Sequence, residues 1–365
     1  MTIDYRRGFA TLHVVHVLIL YNAPTLAANH PDAASEAGVW ESVEAFARAL
    51  SPAEFDVELL GLTSTLEPLL QCAGGSRRPD AVVNFCEGFA GDPALEAHLA
   101  ALLDLLGLPY TGASAETLWL TRDKARTKLL LAAAGLPAPA GWKILAREPL
   151  PRLADVRDRS TATGLGPGPW FVKPAAQDAS LGIGPESVVT DWAQLAAQIE
   201  SVRQRFGDVL VEPYLAGREF NVSVIDPLES PAAGEPRVLP LAEIQFADRG
   251  QPWPIVTYDA KWSPESRDWG ATPVTCPADV EAELAERLRE IARQAFRALA
   301  CRDYARVDFR VDAAGHPWIL EVNANPDLSP GAGFARSLQA GGIAYDEFAR
   351  HLVRNTARRG AAGTR

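Results

Sequence analysis

Residues 306–326, RVDFRVDAAGHPWILEVNANP, carry Asp308 on one strand-like run and Glu321 and Asn323 on a second, with the turn residues DAAG between them. Alternation with period two puts Glu321 and Asn323 on one face, and pairing through the turn brings Asp308 across from them. Two carboxylates and an amide make a hard oxygen cluster. Such a cluster suits Mg2+ (or Mn2+) and leaves coordination positions for substrate phosphates. The polar outer face of a sheet would show the same alternation. Leu320 and Val322 interleave cleanly with Glu321 and Asn323, and Asn323 opens an irregular loop, which favours the ligand cluster.

A second stretch, WFVKPAAQDASLGIG at 170–184, delivers Lys173 from an apolar strand into a loop of small residues that includes Ser180 and Gly182. Free backbone N–H groups in such a loop can cradle phosphate oxygens, and lysine adds a point charge. The chain has no G-x-x-x-x-G-K-[ST] and no G-x-G-x-x-G after a strand, so neither a P-loop nor a dinucleotide fold is supported. A third stretch, VLVEPYLAGREF at 209–220, places Glu212 at the end of one apolar strand and Glu219 after a glycine turn. Backbone groups of such a linker can bond an adenine edge, and a carboxylate can take ribose hydroxyls. Alone, the stretch is equally two surface glutamates. Basic residues are nearly all arginine, and the five lysines are Lys124, Lys128, Lys143, Lys173 and Lys261. Codon bias would leave such a remnant. So would selection for a compact, flexible ammonium.

In this order the pieces resemble the ATP-grasp superfamily, and most closely the D-alanine–D-alanine ligase family, over about three quarters of the chain. LLGLPYTGASAETLWLTRDKARTKLLLAAAGLPAP, at 105–139, looks like the family's link between first and central domains. The resemblance implies that Lys124, Lys173 and Lys261 contact ATP phosphates, with Ser180 and Gly182 in the covering loop. It implies an adenine hinge from Glu212 to Leu215, ribose binding by Glu219, and magnesium held by Asp308, Glu321 and Asn323. Arg306 matches the arginine that stabilises the oxyanion of a tetrahedral intermediate. The activity implied is an ATP-dependent carboxylate–amine ligase working through an acyl phosphate, on small carboxylate and amine substrates such as amino acids. A homodimer through the first domain also follows from the resemblance. An ATP-binding module without activity and a ligase with a non-amine acceptor are the alternatives.

The substrate half departs from the family's pattern. After the first strand the family has a Gly-Gly-x-Ser loop leading to a glutamate that grips an ammonium. Here the segment reads YNAPTLAANHPDAASEAGV, and Glu36 is the best match for that glutamate. NFCEGFAGD replaces a His-Gly segment and brings Glu87 and Asp92 close. Ala179 and Trp262 stand where the family has the serine and tyrosine of a hydrogen-bonded triad, and Asp327 replaces a glycine.

These residues need elements to position them. Strand-like runs at 14–20, 55–60 and 81–85 alternate with helical spacing at 35–50 and 94–106, which implies a parallel sheet flanked by helices. Thr121 can cap a helix over 122–134. The last third reads as longer strands at 219–225, 237–246, 306–311 and 318–322, joined by turn residues and therefore antiparallel. An amphipathic helix covers 278–299 and a closing helix 344–353. The expected fold is α/β and α+β: a doubly wound parallel-sheet domain (1–120), a central lid (121–214), a mostly antiparallel α+β domain (215–357), and a disordered tail (358–365).

Bulk properties exclude other classes. The 365 residues suit several packed domains, and the net charge of −11 disfavours nucleic acid as a partner. No apolar run approaches the ~18 residues of a membrane span, and no signal-peptide cleavage site follows 12–20. The four cysteines are scattered with no C-x-x-C pair, which fits a reducing cytoplasm.

Overall fold

The computed structural model describes residues 14–24, 38–50, 52–150, 152, 165–229, 234–246, 252–263 and 265–363. Glu36 and residues 1–10, expected as a loose tail, lie outside them. The first sheet is parallel: β1 (Val15–Asn22) lies between β2 (Phe55–Leu62) and β3 (Ala81–Phe85), with α1 (Val39–Ala49), α2 (Glu67–Gly74) and α3 (Glu96–Leu105) in the connections. Alternation along β1 divides its side chains between two cores. Val17 and Ile19 join Phe46 and Phe85 on one face, while Leu18 and Leu20 join Leu69 and Leu103 on the other. The first of these cores also contains Tyr304, Phe334 and Phe348 from the far end of the chain, so the parallel sheet shares apolar burial with the C-terminal region.

Residues 122–134 do not form one helix capped by Thr121. α4 (Ala115–Arg122) is capped by Ser114, and Asp123 breaks the chain with extended geometry. The Asp123 side chain then accepts from Arg126 N and caps α5 (Lys124–Ala133). Because the helix restarts at Asp123, Lys124 and Lys128 lie one turn apart on one face of α5, and both are buried.

The second sheet is antiparallel: β4 (Trp142–Ile144), β5 (Trp170–Pro174), β6 (Val188–Val189) and β7 (Val209–Pro213) in the order β4-β7-β5-β6. It packs on α6 (Trp192–Phe206) through Val172, Leu195, Ile199 and Val211. The third sheet contains β8 (Arg218–Ile225), β9 (Arg237–Val238), β10 (Ala242–Ile244), β11 (Val274–Thr275), β12 (Tyr304–Val311) and β13 (Pro317–Asn323). Its order is β11-β10-β8-β12-β13, with β9 also beside β8. The short helix α7 (Tyr258–Trp262) precedes β11, and α8 (Ala282–Ala298) buries Leu288, Ala292, Ala295 and Phe296 against the sheet. The single strand expected over 237–246 is two short ones. Pro240 lacks an N–H for the ladder and falls in the gap between them.

Two helices close the chain, α9 (Gly333–Ala340) and α10 (Tyr345–Gly363). The expected disorder from 358 is corrected, since 358–363 continue α10. Arg359 donates to both carboxylate oxygens of Asp303, at 2.6 and 2.8 Å, and to Tyr110 O at 2.9 Å. Those bonds fasten the end of the helix to the body. No helix among the described residues is long and apolar enough to cross a membrane.

Candidate active site

The polar face of the third sheet is built by register. β12 pairs with β8 so that Asp308 lies opposite Asn221 and Arg310 opposite Glu219. On its other side β12 pairs with β13, with Arg306 opposite Asn323 and Asp308 opposite Glu321. Asp308 thus comes across from the Glu321–Asn323 region, as expected from the turn. A β-bulge follows Asp308, because Phe309 pairs with Ile319 and Leu320 is the extra residue. The bulge preserves the apolar inner face below it while Glu321 keeps the polar side.

Arg306 grips Asp308 with both arms of its guanidinium, Nε to Oδ1 at 2.7 Å and Nη2 to Oδ2 at 2.8 Å, and Asn221 Nδ2 also donates to Oδ1 at 2.7 Å. Burial works against the Arg306 charge, but Asp308 outweighs it and holds the guanidinium even more firmly protonated than usual. Asn323 Oδ1 accepts from Asn325 N at 2.9 Å. Burial would raise the Glu321 pKa, yet Lys124, Lys173, Lys261 and Arg306 together hold it well below the usual carboxylate range. Asp308, Glu321 and the Asn323 amide are thus oxygen donors on one face, with Glu321 ionised, and they fit a hard divalent cation. Each keeps lone pairs beyond its present bonds.

α5 joins this face to the second sheet. Lys124 Nζ lies 2.8 Å from Asp178 Oδ1, donates to Gln177 O at 2.6 Å, and stands 3.6 Å from Glu321 Oε2. Burial opposes its charge, but Asp178 and Glu321 raise its pKa above the ordinary lysine value. Glu212 is buried between two ammonium groups, Lys128 at 2.9 Å and Lys173 at 2.8 Å. They overcome the upward push of burial and keep its carboxyl pKa low. Leaving a buried carboxylate of this kind with no counter-ion costs about 3–5 kcal/mol. Glu219 is likewise buried and takes Arg310 Nε at 2.7 Å. Desolvation still leaves its pKa raised. Arg310 also reaches Pro254 O at 2.8 Å and Leu215 O at 3.3 Å, so it ties the end of the 209–220 stretch to the sheet.

The loop after β5 folds back under α7. Ala179 and Ser180 adopt positive φ, 55° and 61°. At Gly182 (φ 77°) a Cβ would stand 2.6 Å from Phe206 and 2.8 Å from Pro174, so close packing already requires glycine there. Trp262 Nε1 donates to Ala179 O at 3.0 Å, and Tyr258 N to Ile183 O at 3.0 Å. The two departures from the family's triad therefore fit each other, with an indole N–H and a backbone carbonyl making one bond. Trp262→Phe is expected to speed limited proteolysis within 175–184 several-fold in the nucleotide-free protein, and Mg-ATP to slow it in both forms. Equal cleavage rates for variant and native protein would show that the indole bond does not hold the loop. Lys261, one residue earlier on α7, is solvent-accessible. The protein around it, and then Arg306, lower its pKa from the ordinary lysine value.

Carboxylates gather where the first sheet meets the third. Glu87 is exposed, and its pKa is pushed up to about 7 by the protein wall and then by Asp327 and Asp178. Asp92 does not join them. It caps the turn at Pro93–Leu95 by accepting from Ala94 N at 2.8 Å. Glu96 is half-buried and accepts from Asn325 Nδ2 at 2.8 Å; burial, with Glu87 and Asp178 behind it, raises its pKa to about 8. A carboxyl with a raised folded value binds its proton more tightly folded than unfolded. Its effect is to lower stability as pH rises from the ordinary value of 4.5 through about 8. Glu96→Gln keeps an oxygen for Asn325 and removes that loss. The melting temperature of the variant relative to native protein is expected to be higher at pH ~9 than at pH ~5. A difference independent of pH would contradict the assignment.

Among the described residues no three His, Cys, Asp or Glu side chains gather into a metal-holding group, and the hairpin set reaches three donors only with its amide. Pairs and longer-range charge interactions connect most of the expected residues: Lys124 with Glu321, Lys173 with Glu212, Arg306 with Asp308, and Lys261 with Glu321, Asp308 and Glu219. Sequence reasoning gave no role to Lys128 or Arg310. The signals were present, Lys128 one helical turn after Lys124 and Arg310 in the alternation Arg306, Asp308, Arg310.

Residues 130–354 match the family model described as D-ala D-ala ligase C-terminus. The chain is 33% identical to the uncharacterized protein y4sG of Sinorhizobium fredii over 78% of this chain and 77% of that one. It is 31% identical to the D-alanine–D-alanine ligase of Haemophilus influenzae over 72% of this chain and 79% of that one. The solved D-alanine–D-alanine ligase of Bacillus anthracis complexed with ATP superimposes with a TM-score of 0.71 at 19% identity, over 96% of this chain and 99% of that one, a likeness of fold. With an ATP-grasp fold and a family match across most of its length, this chain belongs to the D-alanine–D-alanine ligase family, ATP-dependent ligases that form C–N bonds.

Proposed function

We propose that the enzyme uses ATP and Mg2+ to activate an amino-acid-like carboxylate as an acyl phosphate, then joins it to the amine of a second small substrate. The observation that carries this reading is geometric: Lys124 on α5 stands 3.6 Å from Glu321, and Asp308, which pairs with Glu321 in the hairpin, is gripped by Arg306, with Lys173 and Lys261 adding positive charge at longer range. A carboxylate is a poor electrophile. Transfer of the γ-phosphoryl group to one of its oxygens gives an acyl phosphate and ADP. The amine then attacks the acyl carbon, inorganic phosphate leaves, and the amine loses a proton to yield the amide. Bound at Asp308, Glu321 and Asn323, Mg2+ would neutralise phosphate charge. Lys124 and Lys173 supply fixed positive charge beside it, and Arg306 faces the oxygen that becomes anionic when the amine adds.

The substrate pair is proposed to differ from two D-alanines, because Ala179, Trp262, Glu87 and Asp327 change the pocket's polarity and charge. The free cysteines among the described residues accord with a cytoplasmic location, where ATP is at hand. The test is phosphate release from ATP and Mg2+ with single and paired amino acids, D and L, including basic ones, with mass spectrometry of the products. An amide from some pair supports the reading and names the substrates. An ester or thioester would replace the amine acceptor. ATP binding without turnover across the panel would overturn the ligase reading for these substrates.

A further inference from the structure

Glu212 holds more positive charge than it needs. One buried carboxylate faces two ammonium groups, Lys128 on Oε1 at 2.9 Å and Lys173 on Oε2 at 2.8 Å. Either alone would balance its charge. The two lysines differ in how they are anchored. Lys128 lies in α5 and also donates to Ile319 O at 3.2 Å. Ile319 is the β13 residue just before the bulge, and its N–H is taken by Pro137 O at 2.7 Å from the segment after α5. Lys128 is therefore fixed to the third sheet by a second bond. Lys173 comes from β5 in the second sheet, rests over the Phe171 ring at 5.6 Å, and acts at longer range on Glu321.

We propose that Lys128 is a positioning residue whose permanent pairing with Glu212 releases Lys173 to serve the nucleotide's phosphates. Without it, Lys173 could turn toward phosphate only by abandoning a buried carboxylate to an apolar environment. That is the costly way to break such a pair. With it, Glu212 keeps a counter-ion throughout, and Lys173 exchanges one anion for another. The same bond joins the adenine side of the site to the strand that carries Glu321, two residues beyond Ile319. The inference rests on the reading of these residues as the ATP site.

The test compares the affinities of ATP and adenosine by calorimetry, at constant Mg2+ and without other substrates, for native protein, Lys128→Met and Lys128→Arg. In Lys128→Met, Lys173 stays on Glu212. ATP affinity is expected to fall on the order of tenfold to a hundredfold, while adenosine, which has no phosphate, binds as before. Lys128→Arg should restore most of the ATP affinity. Adding Glu212→Gln to Lys128→Met removes the charge that detains Lys173, and should recover the ratio of ATP to adenosine affinity, in which any loss at the adenine hinge cancels. If the methionine variant does not fold, Lys128→Gln, which keeps a donor for Ile319 O, replaces it with the same expectation. Equal losses for ATP and adenosine, or no recovery on adding Glu212→Gln, would make Lys128 a structural pin only and overturn the proposal. Native protein that binds no ATP would instead overturn the reading of the site itself, a failure distinguishable from the first.

Discussion

Glu321→Gln is expected to reduce ATP-dependent amide formation by at least about a hundredfold, beyond the 10–100-fold typical of losing an outer-shell partner of a metal site. Two effects act together. The variant removes an oxygen anion from the cluster with Asp308 and Asn323, and it removes the charge that Lys124 approaches to 3.6 Å and that Lys173, Lys261 and Arg306 act on at longer range. The glutamine is nearly isosteric, so the change is one of charge with little change of shape. ATP should bind more weakly, and the dependence of binding on Mg2+ should shallow, because the cation loses one of two carboxylates on that face. Steady-state phosphate release with the identified substrates, together with ATP titrations at several Mg2+ concentrations, measures both. Turnover within a few-fold of native would remove Glu321 from the site. Stability gives a further check. Because the folded pKa of Glu321 is depressed, its favourable contribution is present above the unfolded carboxylate value and is lost as pH falls toward the folded one. The stability gap between native and variant should therefore narrow in acid.

That Asp308 comes across from the Glu321–Asn323 region was legible from the turn at 312–315 and the two-residue period, but the turn's register alone would set it opposite Leu320, and the bulge is what pairs it with Glu321. Gly315, with φ 80°, accepts the left-handed conformation the turn requires. The bulge at Leu320 was not legible, since nothing in the WILEV run marks an extra residue. The role of Lys128 was hidden for a different reason. A lysine is buried only where a partner meets it, and its partner Glu212 is 84 residues away on a strand of the second sheet. Ala179 and Trp262 could be seen as departures from a pattern, but the bond between them could not. Its acceptor is a backbone carbonyl, and the positive φ values at 179–180 that aim it belong to residues with no glycine signal. The end of α10 misled in the same way. ARRGAAGTR has the composition of a frayed terminus, and only the distant Asp303 makes Arg359 a reason to stay helical.

Arg306→Ala is expected to lower kcat by about 10²–10³-fold, the cost of removing one donor that faces a developing oxyanion. The loss should fall on the second half of the reaction. In the first half the carboxylate oxygen attacks phosphorus, and no new charge appears on the acyl oxygen. When the amine adds, that oxygen takes a full negative charge, and in the proposed mechanism Arg306 is the group that meets it. Acyl phosphate should therefore still form and escape, to be trapped by hydroxylamine as a hydroxamate, while amide falls away. Arg306 also grips Asp308, so its removal could act through the metal site. Asn221, which donates to Asp308 Oδ1 at 2.7 Å, is untouched by the substitution, and ATP affinity at saturating Mg2+ should change little. Arg306→Lys separates charge from geometry. A lysine can hold Asp308 or face the oxyanion, but its single nitrogen lacks the planar fork that does both. Its kcat should stay well below native. If hydroxamate and amide fell in parallel, together with ATP affinity, Arg306 would serve Asp308 alone and the oxyanion would belong to another donor, with Lys261 on α7 the first to test.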